Sequence, residues 1–277
     1  MPALPRLTAI RYVQPLREGG SLPAVVDTEA GLYVAKFRGA GQGAGALVAE
    51  LIAAGLAGAL GLPVPEAALL EVAPELGVGE PDPEIQDLLR ASQGTNMGLR
   101  YLDGAFNYEE RAARELIAPE QAAEIVWFDA LITNPDRTHR NPNLLVWERR
   151  PWLIDHGSAL YAHHDWGGTD EARMRTPFPL IREHVLLGRA GDIAAADARL
   201  RPRLAGDVVR DVLAAVPDEL LLDPVFMRDG RDGTAARARY EHYLEARLSS
   251  PRAWVAAATQ AQELVRREPP QRKAARR

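Results

Sequence analysis

Residues 134 to 157 read Asn134-Pro135-Asp136-Arg137-Thr138-His139-Arg140-Asn141-Pro142-Asn143, the apolar run Leu144-Leu145-Val146-Trp147, a polar turn Glu148-Arg149-Arg150-Pro151, and Trp152-Leu153-Ile154-Asp155-His156-Gly157. Two apolar runs of this length fit a short antiparallel hairpin. Asn141, before the first run, and Asp155, after the second, would then lie at the same end of it. Asp136 sits on the loop leading to Asn141. Two carboxylates and an amide are all oxygen donors and suit Mg²⁺. Phosphoryl transfer also asks for a fixed cation on the phosphates and a carboxylate that orients the attacking hydroxyl. Lys36 is the candidate cation, because lysine occurs only at Lys36 and Lys273 and every other basic position is arginine. In this reading Asp136 orients the hydroxyl, Asn141 and Asp155 hold the metal, and Glu50 pairs with Lys36, with Glu71 as the other acid available.

Each of these residues also has a plainer reading. D-x-x-x-x-N spacings are frequent in surface loops, and the set gains meaning only from its order along the chain. Lys36 could be a strand lysine facing water, and Glu50 a solvated helix residue. Asn134 and Arg137 read best as loop braces, one capping the preceding helix and the other in an internal ion pair, with His139 a brace or an exposed ring. His156, His163, His164 and Asp165 admit a second class, a metal-dependent phosphohydrolase. Yet His163-His164-Asp165 runs into the loop Trp166-Gly167-Gly168, whereas such sites usually set their ligands on helices. A non-catalytic ATP-binding switch protein is a third class.

The elements that must position these residues follow from periodicity. Ile10–Val13, Ala24–Asp27 and Leu32–Phe37 read as strands, with Gly19-Gly20-Ser21 and Glu29-Ala30-Gly31 as turns. The glycine-rich run Gly39–Gly45 leads into a helix through Leu47, Leu51, Leu56 and Leu60 that stops at Gly61. Leu62–Val72 is extended, Glu84–Leu89 a short helix and Met97–Leu102 a further strand. Asp103-Gly104 suits a connection between lobes. Helices are predicted over Glu109–Ile117, Pro119–Thr133, Pro202–Val216, Thr234–Leu248 and Trp254–Arg266. A β-rich start and a helical remainder give an α+β chain of two lobes: residues 1–103 as nucleotide-binding N-lobe, 104–265 as C-lobe, and 266–277 as a basic tail.

The order strand lysine, helix glutamate, D-x-x-x-x-N loop and apolar strand ending in D-x-G resembles the protein-kinase-like fold. Asn134-x-Asp136-Arg137-x-x-x-Asn141 with Asp155-His156-Gly157 in place of D-F-G is similar to HipA-like kinases and, more distantly, to phosphatidylinositol kinases. Val34-Ala35-Lys36-Phe37, Val48-Ala49-Glu50-Leu51 and Leu60-Gly61-Leu62-Pro63-Val64-Pro65 resemble the N-lobe of the same family. The resemblance spans about residues 7 to 190. It implies an ATP- and Mg²⁺-dependent kinase whose catalytic set is Asp136, Lys36 and Glu50, whose metal ligands are Asn141 and Asp155, and whose acceptor is a protein serine or threonine, or alternatively a small-molecule or lipid hydroxyl. G-x-G-x-x-G is absent. Gly19, Gly20 and Ser21, the candidate phosphate-covering turn beside Lys36, read equally well as an ordinary hairpin turn. If that turn does cover the nucleotide, a phosphate placed on Ser21 by self-phosphorylation would oppose ATP binding by charge repulsion. His-Arg-Asp and Ala-Pro-Glu are absent too, which argues against the peptide-docking segment of eukaryotic-type protein kinases.

Composition narrows the rest. The chain has 277 residues, 47% of them hydrophobic, enough for real cores. It has no cysteine, which removes disulfides, thiolate nucleophiles and cysteine zinc sites together and suits a reducing, cytoplasmic setting. The apolar stretch Ala44–Leu60 carries Glu50 in its middle, so no membrane span is expected, and no signal peptide is read at the start. The formal charge is −5, although Arg266, Arg267, Arg272, Lys273, Arg276 and Arg277 face only Glu268 in the tail. The body is therefore more acidic than the whole, which argues against nucleic acid as a partner.

Overall fold

The computed structural model describes residues 3–16, 22–110, 114–224 and 232–268. The turn Gly19-Gly20-Ser21 and the end of the basic tail lie outside them. The first hundred residues build a six-stranded sheet in the order β1-β5-β6-β4-β3-β2. Its strands are β1 (Arg6–Thr8), β2 (Arg11–Pro15), β3 (Ala24–Thr28), β4 (Gly31–Lys36), β5 (Ala67–Val72) and β6 (Gly94–Arg100). The β3–β4 hairpin closes at Thr28↔Gly31, where Thr28 Oγ1 donates to Gly31 O at 2.8 Å. β1 pairs parallel to β5. Its three residues carry too little alternation to be seen in the sequence.

Helix α1 (Gly43–Leu60) is apolar around most of its circumference and buried at most positions from Ala44 to Leu60, Glu50 included. Such a helix belongs inside a protein. By length and composition it could cross a membrane, but here it is core. One side lies on β6 and the other meets helices of the second lobe. It ends at Gly61, whose φ of 74° is the left-handed cap that lacks a Cβ penalty. Helix α2 (Pro83–Ala91), capped by the Asp82 carboxylate on Glu84 N at 2.9 Å, covers the opposite face of the sheet.

The second lobe starts with a three-stranded sheet, β7 (Phe106–Asn107), β8 (Leu144–Trp147) and β9 (Arg150–Leu153). Helix α3 (Pro119–Leu131) has proline in its first turn and is buried beyond that turn. Short helices follow: α4 (Glu171–Met174), α5 (Ile193–Leu200), α6 (Val208–Ala214) and α7 (Asp218–Leu221). The long helices α8 (Gly233–Leu248) and α9 (Ala253–Arg267) complete the lobe. The architecture is α+β with two lobes, as expected.

Two expectations differ in detail, and for one stretch the sequence yields none. Of the helix expected over 109–117, residues 111–113 lie outside the described residues, and the described part holds Glu110 in helical conformation and a tight turn at Arg114–Leu116. Gly206, at a φ of 69°, breaks the expected 202–216 helix into a 3₁₀ turn at Arg201–Leu204 and α6. Residues 158–200 contain short helical turns and α5, which carry too few residues each for a period to register.

Candidate active site

Alternation along β4 sends Tyr33, Ala35 and Phe37 into the core beneath α2, while Val34 and Lys36 line a cleft of about 680 Å³ between the lobes. Val34, Leu99, Leu102, Leu144 and Ile154 make its apolar wall; Lys36, Asn141 and Asp155 lie on its lining too.

The β8–β9 hairpin turns through Glu148 and Arg149, both at positive φ, with Leu144 opposite Leu153. Two positive-φ residues make the turn type whose twist matches the strands. Past the last pair, Ile154 N donates to Asn143 O at 3.1 Å. Asn141 and Asp155 therefore do lie at one end. Asn143 joins the two sides: its Nδ2 is 3.4 Å from Asp136 Oδ2 and 3.4 Å from Asp155 O. Asn143 and Asp155 both hold positive φ, 47° and 58°. Asparagine and aspartate tolerate that conformation better than most non-glycine residues, and residues held in it cluster at functional sites. Asn141 Nδ2 donates to Asp136 Oδ2 at 3.0 Å.

On the other side of the cleft the Lys36 ammonium bonds both Glu50 Oε1 and Asp155 Oδ1, the latter at 2.5 Å. Burial alone would lower the lysine pKa, but the two carboxylates more than offset it and hold it above the ordinary value. Glu50, equally buried, is opposed by desolvation and held far below the usual carboxylate range by Lys36 and His156. Glu71, the other candidate partner, instead lies beside Thr95 on the sheet. Gly157 brings this segment against α1: a Cβ there would stand 3.3 Å from Ala46 Cβ.

Beneath the loop lies a buried polar cluster centred on Asp129, a residue with no exposed surface. Arg137 Nε donates to Asp129 Oδ2 at 2.6 Å, His184 Nε2 to the same oxygen at 2.9 Å, and Asn134 Nδ2 to Oδ1 at 2.9 Å. Desolvation opposes the Asp129 charge, but Arg137 and His184 hold its pKa well below the ordinary aspartate value. Asn134 Oδ1 then accepts from Asp136 N at 3.1 Å. Arg137 is thus the ion-paired brace that was expected, whereas Asn134 braces the loop through the Asp129 side chain and Asp136 N and does not cap the helix; His139 is partly exposed beside Glu110 at 3.5 Å. A brace that the sequence did not disclose is Arg247 of α8. It donates to Leu131 O, Ala130 O and Met174 O at 2.7, 2.8 and 2.9 Å, and so closes the carbonyl end of α3 that leads into the loop. Only the excess of arginine in a predicted helix hinted at it.

Lys36, Glu50, Asp136, Asn141 and Asp155 are therefore brought together, whereas Gly19, Gly20 and Ser21 lie outside the described residues. The histidine cluster does not join them. His163 bonds Tyr240 Oη at 3.0 Å and His164 Nε2 at 3.1 Å, and Asp165 pairs with Arg173 at 2.8 Å. Among the described residues no three histidine or carboxylate groups gather as metal ligands.

Similarity to known proteins agrees with this geometry. The crystal structure of the Helicobacter pylori proinflammatory kinase CtkA superposes with a TM-score of 0.55 at 14% identity, covering 94% of this chain and 99% of that one, which identifies a kinase fold. A search of curated proteins finds no match to the sequence. The sequence model of the HipA-like kinases matches residues 10–170, more than half of the chain. The protein belongs to the HipA-like kinase family.

Proposed function

We propose that the chain transfers the γ-phosphate of Mg²⁺-bound ATP to a hydroxyl, with protein serine or threonine as the acceptor class that the family resemblance implies. The observation that carries this reading is the meeting of Lys36, Asp136, Asn141 and Asp155 at one cleft. The apolar wall of Val34, Leu99, Leu102, Leu144 and Ile154 suits a flat purine. Lys36 then holds phosphate oxygens, fixed by Glu50.

The donor set fits Mg²⁺. Asn141 uses its Nδ2 on Asp136 and keeps its oxygen for a cation, and Asp155 Oδ1 already accepts a cationic group, the Lys36 ammonium. Bound there, Mg²⁺ would neutralise phosphate charge in the transition state. Asp136 has Oδ2 engaged by Asn141 and Asn143, which leaves Oδ1 to accept the hydroxyl proton. The acceptor oxygen bonds to the γ-phosphorus as the bond from that phosphorus to ADP breaks, and the proton passes to Asp136.

Asp136→Asn is expected to keep nucleotide binding and to lose turnover by about 10² or more. Asp155→Ala is expected to weaken Mg²⁺·ATP binding to a greater extent, read by calorimetric titration. Turnover at the parental rate in both variants would overturn the assignment. Phosphoproteomics of cells expressing the active and Asp136→Asn forms separates acceptors: an unchanged protein pattern beside active ATP turnover would point to a metabolite or lipid hydroxyl.

A further inference from the structure

His156, between Asp155 and Gly157, is 2% exposed and lies edge-on to Phe128 with ring centroids 5.9 Å apart. Its two nitrogens face different lobes. Nε2 is 2.9 Å from Arg137 Nη2. A guanidinium only donates, so Nε2 accepts and a neutral ring carries its proton on Nδ1. Nδ1 stands 3.6 Å from Glu50 Oε2, an oxygen that is buried and has no hydrogen-bond partner. Groups of that kind are rare in folded proteins and mark a place where a donor is needed. The other Glu50 oxygen holds Lys36. Arg137, for its part, bonds Asn143 O and Asp129.

We infer that His156 is a positioning residue for phosphoryl transfer: as the Nδ1–H tautomer it ties Glu50 in the small lobe to Arg137 beneath the catalytic loop. Lys36 and Asp136 are then aligned through one connected set, Lys36–Glu50–His156–Arg137–Asn143 and Asp136. The middle residue of Asp155-His156-Gly157 must donate on one side and accept on the other. Imidazole does both in one plane, phenylalanine does neither, and a glutamine amide does both. The inference rests on the kinase reading, and its test has an arm independent of turnover.

In that arm, ¹⁵N NMR of the unmutated protein is expected to show His156 protonated at Nδ1 and bare at Nε2; a proton on Nε2 alone would overturn the linkage. In the kinetic arm, His156→Phe retains the ring against Phe128 and its thermal melting is compared with the parent. Its kcat is expected to fall about 10-fold or more, the usual cost of losing a group that orients a site. KM for ATP should move less than about threefold, since Lys36 keeps Glu50 Oε1. His156→Gln should regain most of the lost kcat. Parental kcat in a folded His156→Phe, or no gain from glutamine over phenylalanine, would refute the role. If the unmutated protein turned over no ATP, the kinase reading would fall and the tautomer would decide the linkage alone.

Discussion

At the candidate site one ammonium faces three carboxylates, because Lys36 bonds Glu50 and Asp155 while Asp136 lies across Asn143 from Asp155. Such an excess of negative charge attracts a divalent cation, and its arrival at Asp155 would compete with Lys36 for the same oxygen. The convergence of Lys36, Asp136, Asn141 and Asp155 on one cleft was legible in sequence because phosphoryl transfer admits few residue types and the chain order is constrained. Asn143 and Asp129 were not, since an asparagine in a loop and an aspartate in a helix have many uses. A different buried residue adds to the acid dependence of stability. His163, buried against Tyr240, is pushed down to about 3 from 6.5 by burial and by His164. Its folded pKa lies below the unfolded one, so on acidification the unfolded chain takes up a proton first. The stability it contributes is complete above about pH 6.5 and is lost progressively down to about pH 3, at up to about 1.4 kcal/mol per pH unit. His184, buried and also shifted downward by desolvation, acts in the same direction. Urea midpoints at pH 7 and 5 are expected to differ less in His163→Gln than in the parent; equal differences would exclude His163 as the cause.

At the scale of elements, helix ends decide where the loop sits. α3 begins at Pro119 without a side-chain cap, and its last carbonyls are closed from outside by Arg247. Arg247 is 2% exposed, and its guanidinium also stacks on Tyr243 and Trp254 at 5.8 and 5.5 Å. A positive group at a helix carboxyl end also interacts favourably with the dipole there. Arg247→Met keeps the stem but strands several carbonyls, each costing about 1–3 kcal/mol when buried and unpaired. A loss of about 3 kcal/mol or more is expected in urea unfolding, with reduced turnover because Thr133-Asn134-Pro135-Asp136 follows α3 directly. A change under about 0.5 kcal/mol would mean that water replaces the guanidinium. Helix α1 was readable from the helical spacing of Leu47, Leu51, Leu56 and Leu60, and the β8–β9 hairpin from its two apolar runs. What no local pattern could disclose is a contact such as Arg247 on Leu131, made across more than a hundred residues, because it depends on packing.

For the whole molecule, the decisive feature is that α1 belongs to two lobes at once. Leu47, Ile52 and Leu56 share one continuous core with Met97 and Leu99 of the sheet and with Trp127, Val212 and Leu220 of the helical lobe. Arg203 Nη1 adds a bond to Leu60 O at 2.7 Å, and Arg38 of the small lobe pairs with Asp223. The exposed Arg6–Glu219 pair at 3.3 Å contributes little beside these. The helix that carries Glu50 is thus fixed by residues over a hundred positions away, and the Lys36–Glu50 pair depends on that packing. A close approach to the helical lobe lies at Gly55: a Cβ there would lie 2.7 Å from Val212 Cγ1. Gly55→Ala should force α1 away from α6, at an overpacking cost of about 1–3 kcal/mol. It should also lower turnover, since Glu50 lies on the same rigid helix. Val212→Ala removes the opposing methyls, so the double variant is expected to be more stable than the sum of the two single losses by about 1 kcal/mol or more. Its turnover should recover relative to Gly55→Ala alone. Strict additivity in a urea cycle, or parental turnover in Gly55→Ala, would show that α1 is held by the sheet and not by the helices behind it.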